Sequence, residues 1–409
     1  MPLGVYISVP FCRSKCSYCN FASGVFGQGV HEKYVERICA DIRRAEATAA
    51  EMGGEFERTV DSLYLGGGTP TLLEPEQLRR IFTTLKETFV LAPASEVTVE
   101  CAPGALRPEM LEMLVEGGVS RVSLGVQSFV DQEARAVGRL HTRAAALDDM
   151  RRLRAAGIGN FNVDLIAGLP HQTAESWEFS LAEGIAAESP HVSVYMLEVD
   201  EDSRLGRELL AGGTRYHAHF VPNEELTAEL YLRAGERLEA AGIYQYEISN
   251  FARPGHESLH NLKYWTRRPY LGFGVDAHSF LPAAQTLRND RNAKKTSNLK
   301  FEISNSKPDA VRFAAPDSFD QYMAGAPCSR TPVSSGAARE ECFFLGLRLN
   351  QGVKLPEIAA QYGLDPQTET VIAELRRAGL VDYDRARRVL SLNRRGRLLS
   401  NEVFERFLA

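Results

Sequence analysis

The sequence contains no run of about 18 apolar residues, so it does not predict a membrane-spanning helix. Seven cysteines in 409 residues are too few and too unevenly spaced for a disulfide framework. An excess of one charge is also missing, because 47 basic and 53 acidic side chains leave a net charge of −6. That balance gives no general attraction to nucleic acid or to an anionic membrane. The first residues, MPLGVYISVPFC, lack the basic region and cleavage site of a secretory signal, so we expect a cytoplasmic location.

The chain does contain a regular alternation of short apolar runs and amphipathic segments. The strand-like runs cover residues 5–9, 62–65, 96–99, 121–125, 160–166 and 191–197. The helix-like segments between them cover residues 32–50, 76–89, 108–117, 142–156 and 174–187. Near-continuous apolar strands that alternate with helices indicate a parallel sheet of βα units. Six units predict an α/β fold, an incomplete (β/α)6 barrel, in which the loops after the strands form the site.

The remaining sequence predicts three further parts. Residues 1–240 form the expected barrel, and residues 241–281 form a segment that packs on it. Residues 282–310 are polar with few apolar anchors, which is typical of a flexible insertion. Residues 311–409 contain helices followed by two short strands and a last helix, an order that resembles a small winged-helix-like α+β domain. Its arginines are interrupted by Glu374 in the helix before the wing, so we expect no nucleic-acid partner.

Three cysteines, Cys12, Cys16 and Cys19, fall within eight residues directly after the first strand. The other four are scattered among apolar neighbours, as in a reduced protein. A structural zinc site takes four ligands, and no fourth ligand is nearby. Three thiolates on one loop suit a [4Fe–4S] cluster with one iron open to another ligand.

Polar or glycine-rich residues follow the next four strands in turn. Gly67, Gly68 and Thr69 end the second strand, and glycine there lets the backbone approach a ligand closely. Glu100 and Gln127 end the third and fourth strands, and Asp164 interrupts the apolar fifth strand. A carboxylate in an apolar strand is costly to bury without a partner, and the hydroxyls of a ribose would provide one.

The Cys-x3-Cys-x2-Cys spacing after the first strand resembles the radical S-adenosylmethionine enzymes. The resemblance implies that the open iron binds the methionine part of S-adenosylmethionine, whose sulfonium is split by one electron from the cluster, so a reductant is also implied. By matching position it implies that the residues in contact with S-adenosylmethionine are Tyr6, Gly67, Gly68, Thr69, Glu100, Gln127, Arg139 and Asp164. Tyr18, inside the cysteine loop, would lie near the adenine. One departure is Ala102 in Glu100-Cys101-Ala102-Pro103, where relatives usually have an asparagine before the proline.

Four longer segments resemble one branch of that group, the oxygen-independent coproporphyrinogen III dehydrogenase family of porphyrin biosynthesis. They are RVSLGVQSF (121–129), VGRLH (137–141), NVDLIAGLP (162–170) and YEISNFARPGHESLHN (246–261). The dehydrogenases carry a further cysteine where this chain has Phe21, and they have a longer segment before the first strand.

HNLKYW (260–265) matches instead the His-Asn-x-x-Tyr-Trp motif of the heme chaperones, the HemW-like group of this family. That resemblance implies heme contacts from His260, Asn261, Tyr264 and Trp265, with His256 and His278 as other candidate ligands. An imidazole is a common axial ligand of heme iron, and aromatic rings offer a face to the porphyrin.

The favoured hypothesis is a heme chaperone that binds a [4Fe–4S] cluster, S-adenosylmethionine and heme and delivers heme to an acceptor, for example a respiratory hemoprotein. The alternative is an enzyme that decarboxylates coproporphyrinogen III by radical hydrogen abstraction. A third is a zinc-bound scaffold that contacts nucleic acid. No residue is assigned as catalytic.

Overall fold

A computed structural model of the chain describes residues 1–284 and 308–408, and its largest element is a twelve-stranded sheet. Six strands lie side by side in chain order and are all parallel. They are β1 (Leu3–Val9), β2 (Thr59–Gly67), β3 (Val90–Cys101), β4 (Arg121–Gln127), β5 (Phe161–Ala167) and β6 (His191–Met196). This arrangement confirms the predicted incomplete (β/α)6 barrel.

Helices connect these strands and cover one face of the sheet. They are α1 (Gln28–Arg43), α2 (Ala45–Met52), α3 (Pro75–Thr88), α4 (Pro108–Gly117), α5 (Asp131–Ala136), α6 (Arg143–Ala155) and α7 (Ala174–Ala186). Helix α3 shows why they form, because Pro75 opens it and Glu74 and Gln77 make a capping box. Its buried residues Leu78 and Ile81 belong to the same apolar cluster as Val5 and other outward-facing strand residues.

The opposite face of the same strands is polar, which differs from the expected near-continuous apolar strands. Side chains alternate along a strand, so residues two apart share a face. On the face away from the helices this brings together alternate residues of five strands: Ser62, Tyr64, Glu96, Glu100, Arg121, Ser123, Asn162, Asp164, His191 and Ser193. The barrel interior is therefore a hydrogen-bonded polar layer, while the apolar half of each strand supplies the core under the helices.

After β6 the chain leaves the parallel order and closes the barrel with other elements. These are α8 (Arg204–Leu210), a 3₁₀ segment (Arg215–Phe220), α9 (Glu224–Ala240), β7 (Tyr244–Gln245), β8 (Asn250–Ala252) and α10 (Leu259–Trp265). Strands β8 and β7 extend the sheet antiparallel from β6. The next strand, β9 (Tyr270–Phe273), returns to the other edge and pairs parallel with β1.

Three antiparallel strands complete that edge: β10 (His278–Pro282), β11 (Ala310–Ala314) and β12 (Ser329–Val333). Helix α11 (Phe319–Met323) lies between the last two. Residues 285–307, most of the predicted insertion at 282–310, lie outside the described residues. Strands β11 and β12 belong to the large sheet, because β11 pairs with β10 and β12 pairs with β11. This differs from the expected division, which gave residues 311–333 to the C-terminal domain.

The C-terminal part has its own small sheet and apolar cluster. It contains α12 (Ser335–Gly346), β13 (Val353–Lys354), α13 (Leu355–Tyr362), α14 (Thr368–Arg377), β14 (Val381–Asp384), β15 (Val389–Leu392), α15 (Arg394–Leu398) and α16 (Ser400–Glu405). Leu355, Ile372 and Leu390 are buried in the cluster that holds these elements together. This order confirms the predicted helical unit with a two-stranded wing. Within the part of the chain that the structure describes, no helix is both long and apolar enough to cross a membrane.

Candidate functional site

The three clustered cysteines lie on the loop after β1, which folds back on itself. The backbone N–H of Cys12 donates to the carbonyl of Gly24 at 2.9 Å, and the N–H of Cys19 donates to the carbonyl of Cys16 at 3.2 Å. All three thiols are free and half-buried. Burial raises the pKa of Cys12, and the nearby Cys19 and Cys16 thiols raise it further, so the three sulfur atoms share one small region.

Thiolates on one loop can hold either a zinc ion or an iron–sulfur cluster. Within residues 1–284 and 308–408, no three His, Cys, Asp or Glu side chains converge as ligands of one metal ion. A structural zinc ion requires such convergence and a fourth ligand. In an iron–sulfur cluster each thiolate binds a different iron, so the sulfurs surround the cluster and need not converge. Three free, half-buried thiols on one loop suit such a [4Fe–4S] cluster.

The cysteine loop is held in place by the glycine-rich turn that ends β2. The N–H of Gly68 donates to the carbonyl of Val9 at 2.8 Å, and the N–H of Thr69 donates to the carbonyl of Phe11 at 2.8 Å. A Cβ atom on Gly68 would lie 2.7 Å from the Val9 oxygen and 2.9 Å from the Phe11 nitrogen. Only glycine allows this backbone approach, which explains the glycine in the sequence motif.

Gly67 and Glu100 meet at the same end of the barrel. The N–H of Gly67 (φ +98°) donates to Oε2 of Glu100 at 3.1 Å, and the hydroxyl of Tyr64 donates to Oε1 at 2.8 Å. Burial raises the pKa of Glu100 to about 7, and the carboxylate of Asp164 also raises it. The hydroxyl of Tyr6 is near as well, 3.3 Å from where a Cβ on Gly67 would lie. Three of the predicted S-adenosylmethionine contacts are therefore neighbours.

Gln127 and Arg139 bring unpaired polar atoms to this region. Gln127 has a left-handed backbone (φ +67°), and its side-chain oxygen is buried without a partner among the described residues. Nε of Arg139 is also buried without a hydrogen-bond partner among the described residues. A Cβ on Gly125 would lie 2.7 Å from Nη2 of Arg139, so the guanidinium lies against β4. Buried polar atoms without partners are costly, and a polar ligand that reaches them removes the cost.

Tyr18 and Asp164 border the same region. Burial raises the pKa of Tyr18, and the nearby guanidinium of Arg139 opposes that rise. Asp164 is half-buried, accepts a hydrogen bond from Nδ2 of Asn162 at 2.7 Å and one from Oγ of Ser123 at 3.3 Å. Burial raises its pKa. The individual contacts with a cofactor remain predictions, but the residues predicted for them lie in one region.

The His-Asn-x-x-Tyr-Trp motif lies on helix α10, toward the start of the strands, where the centroid of the His260 ring is 5.3 Å from that of Tyr64 and 6.4 Å from that of Tyr6. The Glu96 carboxylate accepts from the backbone N–H groups of Leu259 at 2.9 Å and His260 at 3.1 Å, which caps the helix. Nζ of Lys263 lies 2.6 Å from Oδ1 of Asp61. A Cβ on Gly4 would lie 3.3 Å from the His260 ring. Helix α10 therefore closes the barrel where the strands begin, whereas the cysteine loop follows a strand end.

His260 itself is 1% exposed, and both of its ring nitrogens have partners. Nδ1 lies 3.1 Å from Oγ of Ser62, and Nε2 lies 2.9 Å from the hydroxyl of Tyr264. Burial lowers the pKa of His260 to about 3, and the charge of Lys263 lowers it further. His260 can bind heme iron only if α10 moves away from the sheet, so its role as a ligand remains a prediction.

The other motif residues join the barrel to the C-terminal part. The Arg348 guanidinium lies 4.3 Å from the Trp265 ring, and Nε1 of Trp265 is buried without a partner among the described residues. The Asn261 N–H donates to Oγ of Ser258 at 3.4 Å. Of the two other candidate ligands, His256 is half-buried, whereas the His278 side chain is 67% exposed.

Sequence reasoning missed several residues of the polar barrel interior. Tyr64 holds the Glu100 carboxylate, and Ser123 and Asn162 hold that of Asp164. The signal for these residues is the alternation of polar side chains along β2, β4 and β5, which the prediction of continuously apolar strands ignores. Sequence reasoning also missed a histidine cluster formed by two loops, His171 with His217 and His219.

Comparisons with known proteins agree with the barrel fold and the cysteine loop described above. Residues 6–182 match the Radical SAM superfamily, and residues 333–399 match the HemN C-terminal domain. The heme chaperone HemW of Bacillus subtilis is 34% identical over 408 residues, which cover 98% of each chain. The heme chaperone HemW of Escherichia coli is 28% identical and is covered over 98% of its length, with 100% of this chain aligned.

Among solved structures, coproporphyrinogen III oxidase (HemN) from Escherichia coli superimposes with a TM-score of 0.78 at 22% identity, over 99% of this chain and 90% of that one. The likeness confirms the fold. A radical SAM domain implies a [4Fe–4S] cluster and S-adenosylmethionine as cofactors. On its full-length similarity to curated relatives, the chain belongs to the HemW family of the radical SAM superfamily.

Proposed function

We propose that this chain is a heme chaperone that holds a [4Fe–4S] cluster, S-adenosylmethionine and heme, and passes heme to an acceptor hemoprotein. The observation that carries the proposal is the similarity to a curated heme chaperone at 34% identity over 98% of both chains. A second support is the complete three-cysteine loop fixed against the glycine turn of β2. The proposal includes a cytoplasmic location and a reductant for the cluster.

In this proposal Cys12, Cys16 and Cys19 bind the cluster. When bound, the cluster and S-adenosylmethionine supply one-electron chemistry. The protein holds and shields the cofactor, with the backbone of Gly67, Gly68 and Thr69 against its methionine part. The other proposed contacts come from the strand ends and the cysteine loop: Tyr6, Tyr18, Glu100, Gln127, Arg139 and Asp164.

For heme, the motif residues His260, Asn261, Tyr264 and Trp265 remain the proposed contacts in a state in which α10 has opened. In the closed barrel, burial lowers the pKa of His260 to about 3, so the imidazole is neutral before α10 opens. A neutral imidazole keeps a lone pair for iron once the hydrogen bonds to Ser62 and Tyr264 are broken. Opening of α10 also breaks the hydrogen bonds from the N–H groups of Leu259 and His260 to the Glu96 carboxylate. Heme binding at the motif therefore requires a conformational change.

The alternative activity, decarboxylation of coproporphyrinogen III, has less support. The structural likeness to that oxidase is at 22% identity and concerns the fold alone. Phe21 occupies the position at which the resemblance expects a fourth cysteine in such enzymes, and its side chain is 65% exposed. We therefore do not propose this activity for the chain.

The test is anaerobic reconstitution of the full chain with iron and sulfide, followed by heme titration with and without S-adenosylmethionine. We expect stoichiometric heme binding, about four irons per chain, and transfer of heme to an added apo-hemoprotein. A parallel assay with coproporphyrinogen III under reducing conditions should give no decarboxylated product. Turnover in that assay, or no heme binding by the reconstituted chain, would overturn the proposal.

A further inference from the structure

Three histidines from two separate loops lie together around one phenylalanine. His171 follows β5, whereas His217 and His219 belong to the 3₁₀ segment before α9. Nε2 of His171 lies 3.1 Å from Nδ1 of His217. The ring centroid of Phe220 is 4.1 Å from that of His171 and 4.0 Å from that of His219. We call these four residues the histidine cluster.

The backbone of the histidine cluster is held in an uncommon conformation. His171 (φ +68°), Tyr216 (φ +55°) and His217 (φ +60°) are all left-handed without being glycine. The N–H of His171 donates to the carbonyl of Phe220 at 2.9 Å, which ties the two loops together. Left-handed non-glycine residues persist only where the surrounding structure holds them, and they concentrate at functional sites.

The histidine cluster lies at the same end of the barrel as the cysteine loop. Ala218, between His217 and His219, is buried in an apolar cluster that includes Val137 and Leu169, and Tyr18 of the cysteine loop packs against it. Helix α8 contacts that loop directly, because the N–H of Leu205 donates to the carbonyl of Ser17 at 2.8 Å. The motif helix α10 lies toward the start of the strands.

The arrangement of the imidazoles indicates which ligand they suit. Nε2 of His171 and Nδ1 of His217 face each other at 3.1 Å, so these two imidazoles are paired with each other rather than directed at one common metal ion. A heme brings four equatorial nitrogens of its own and needs only one or two axial imidazoles. A metal-binding histidine commonly donates its other N–H to a partner that fixes its tautomer. The hydrogen bond between His171 and His217 provides such a partner and leaves Nε2 of His217 for iron.

The surroundings also suit a flat, anionic porphyrin. His217 and His219 are exposed, and the rings of Phe220 and Tyr216 are 47% and 38% exposed. Such rings offer stacking faces to a macrocycle. The Arg204 guanidinium lies 5.4 Å from the Tyr216 ring. The Arg204 guanidinium also donates to the backbone carbonyl of Lys15, whereas the exposed Arg207 and Arg215 take part in no ion pair of the described residues and offer their charges to propionate groups.

We propose that the histidine cluster is an axial-ligand site for heme, with His217 binding the iron through Nε2 and His171 as its positioning residue. The inference rests on the proposed function and concerns where heme binds. This site would bind heme in the closed barrel, whereas the contacts proposed for His260 and its motif require α10 to open. It also places heme beside the cysteine loop, at the end of the barrel predicted for S-adenosylmethionine.

The test titrates heme into the full chain, reconstituted anaerobically, and records the Soret band and the spin state of the iron. His217→Ala should shift the Soret band and weaken binding, and His171→Asn should weaken binding by about tenfold, as for loss of a ligand's hydrogen-bond partner. Tyr244→Ala, which removes an exposed ring on β7, is the control and should titrate as the wild type does. Iron–sulfur absorption should be unchanged in all three variants.

Two outcomes would overturn this inference and leave the proposed function intact. One is a wild-type Soret band in the His171→Ala/His217→Ala/His219→Ala triple variant, with loss of heme binding in His260→Asn. The other is zinc alone binding to the wild type and not to the triple variant, while heme binds both equally. No heme binding by the wild type would overturn the proposed function itself, and this inference with it.

Discussion

Nε2 of His260 lies 2.9 Å from the hydroxyl oxygen of Tyr264, one helical turn further along α10. Because Ser62 faces the other ring nitrogen at 3.1 Å, the histidine is locked between the helix and β2. Two residues of the heme-associated motif thus satisfy each other in the closed barrel. The motif therefore has a structural role here, whatever role it has when heme is bound.

The first prediction concerns the pH dependence of stability that His260 confers. The pKa of His260 is about 3 in the folded chain, below its ordinary value of 6.5. Between these two pH values His260 binds a proton in the unfolded chain but not in the folded chain. The stability from His260 is complete above pH 6.5 and is lost as the pH falls toward 3. Asparagine does not titrate, so the difference in unfolding free energy between wild type and His260→Asn should shrink by about 1.4 kcal/mol from pH 7.5 to pH 5.5.

Urea unfolding at the two pH values measures this change. The other buried histidines, His141 and His191, are present in both proteins and cancel in the comparison. A difference that stays constant between pH 7.5 and pH 5.5 would mean that His260 is not buried as a neutral imidazole.

Local patterns were sufficient to predict the parallel half of the fold. The helical periodicity between short strands gave six βα units, and the three-cysteine spacing identified the loop that the structure fixes against Gly68. The second half of the sheet depends on distant pairing. Strand β9 lies beside β1 because Gly4 pairs with Tyr270, and no periodicity in a four-residue strand indicates that partner.

The position of α10 could not be predicted from the sequence either, because it also depends on contacts between distant residues. Its cap is the carboxylate of Glu96 and its ion pair is with Asp61, both more than 150 residues earlier. The motif showed which residues matter but could not show that they face the start of the strands. The contact between His171 and His217 likewise joins two loops whose spacing carries no signal.

The second prediction tests the contact between the glycine turn and the cysteine loop. Gly68→Ala would place a Cβ 2.7 Å from the Val9 oxygen and 2.8 Å from the Phe11 oxygen, and backbone atoms cannot move aside as a flexible side chain can. We expect a loss of about 1–3 kcal/mol in unfolding free energy and a lower iron content after reconstitution. Gly159→Ala is the control, because nothing lies within 4 Å of its added Cβ. Equal iron content in the two variants would contradict the proposed contact.

The third prediction concerns the cluster ligands. Cys16→Ala leaves two of the three proposed thiolates, so the absorption of the reconstituted protein at about 400 nm should be lost. Cys342→Ala is the matched control, since that half-buried thiol belongs to the C-terminal part and lies against its apolar cluster. A Cys16→Ala protein that still holds about four irons would show that the ligands have been misassigned.

The last prediction concerns the carboxylate of Asp164. Asp164→Asn keeps the shape of the side chain and removes its charge, so it should weaken S-adenosylmethionine binding by about 1.5–3 kcal/mol, the range for a hydrogen bond to a charged group. Asn162 and Ser123 hold the carboxylate on the polar face of the sheet, so the backbone there should not change. Asp61→Asn is the control, because its carboxylate pairs with Lys263 toward the start of the strands and should not affect the cofactor. Calorimetry of the two reconstituted variants measures the difference. Since both changes remove one carboxylate charge, a loss of affinity in both would indicate a general electrostatic effect, whereas a loss in Asp164→Asn alone would place the cofactor beside β5.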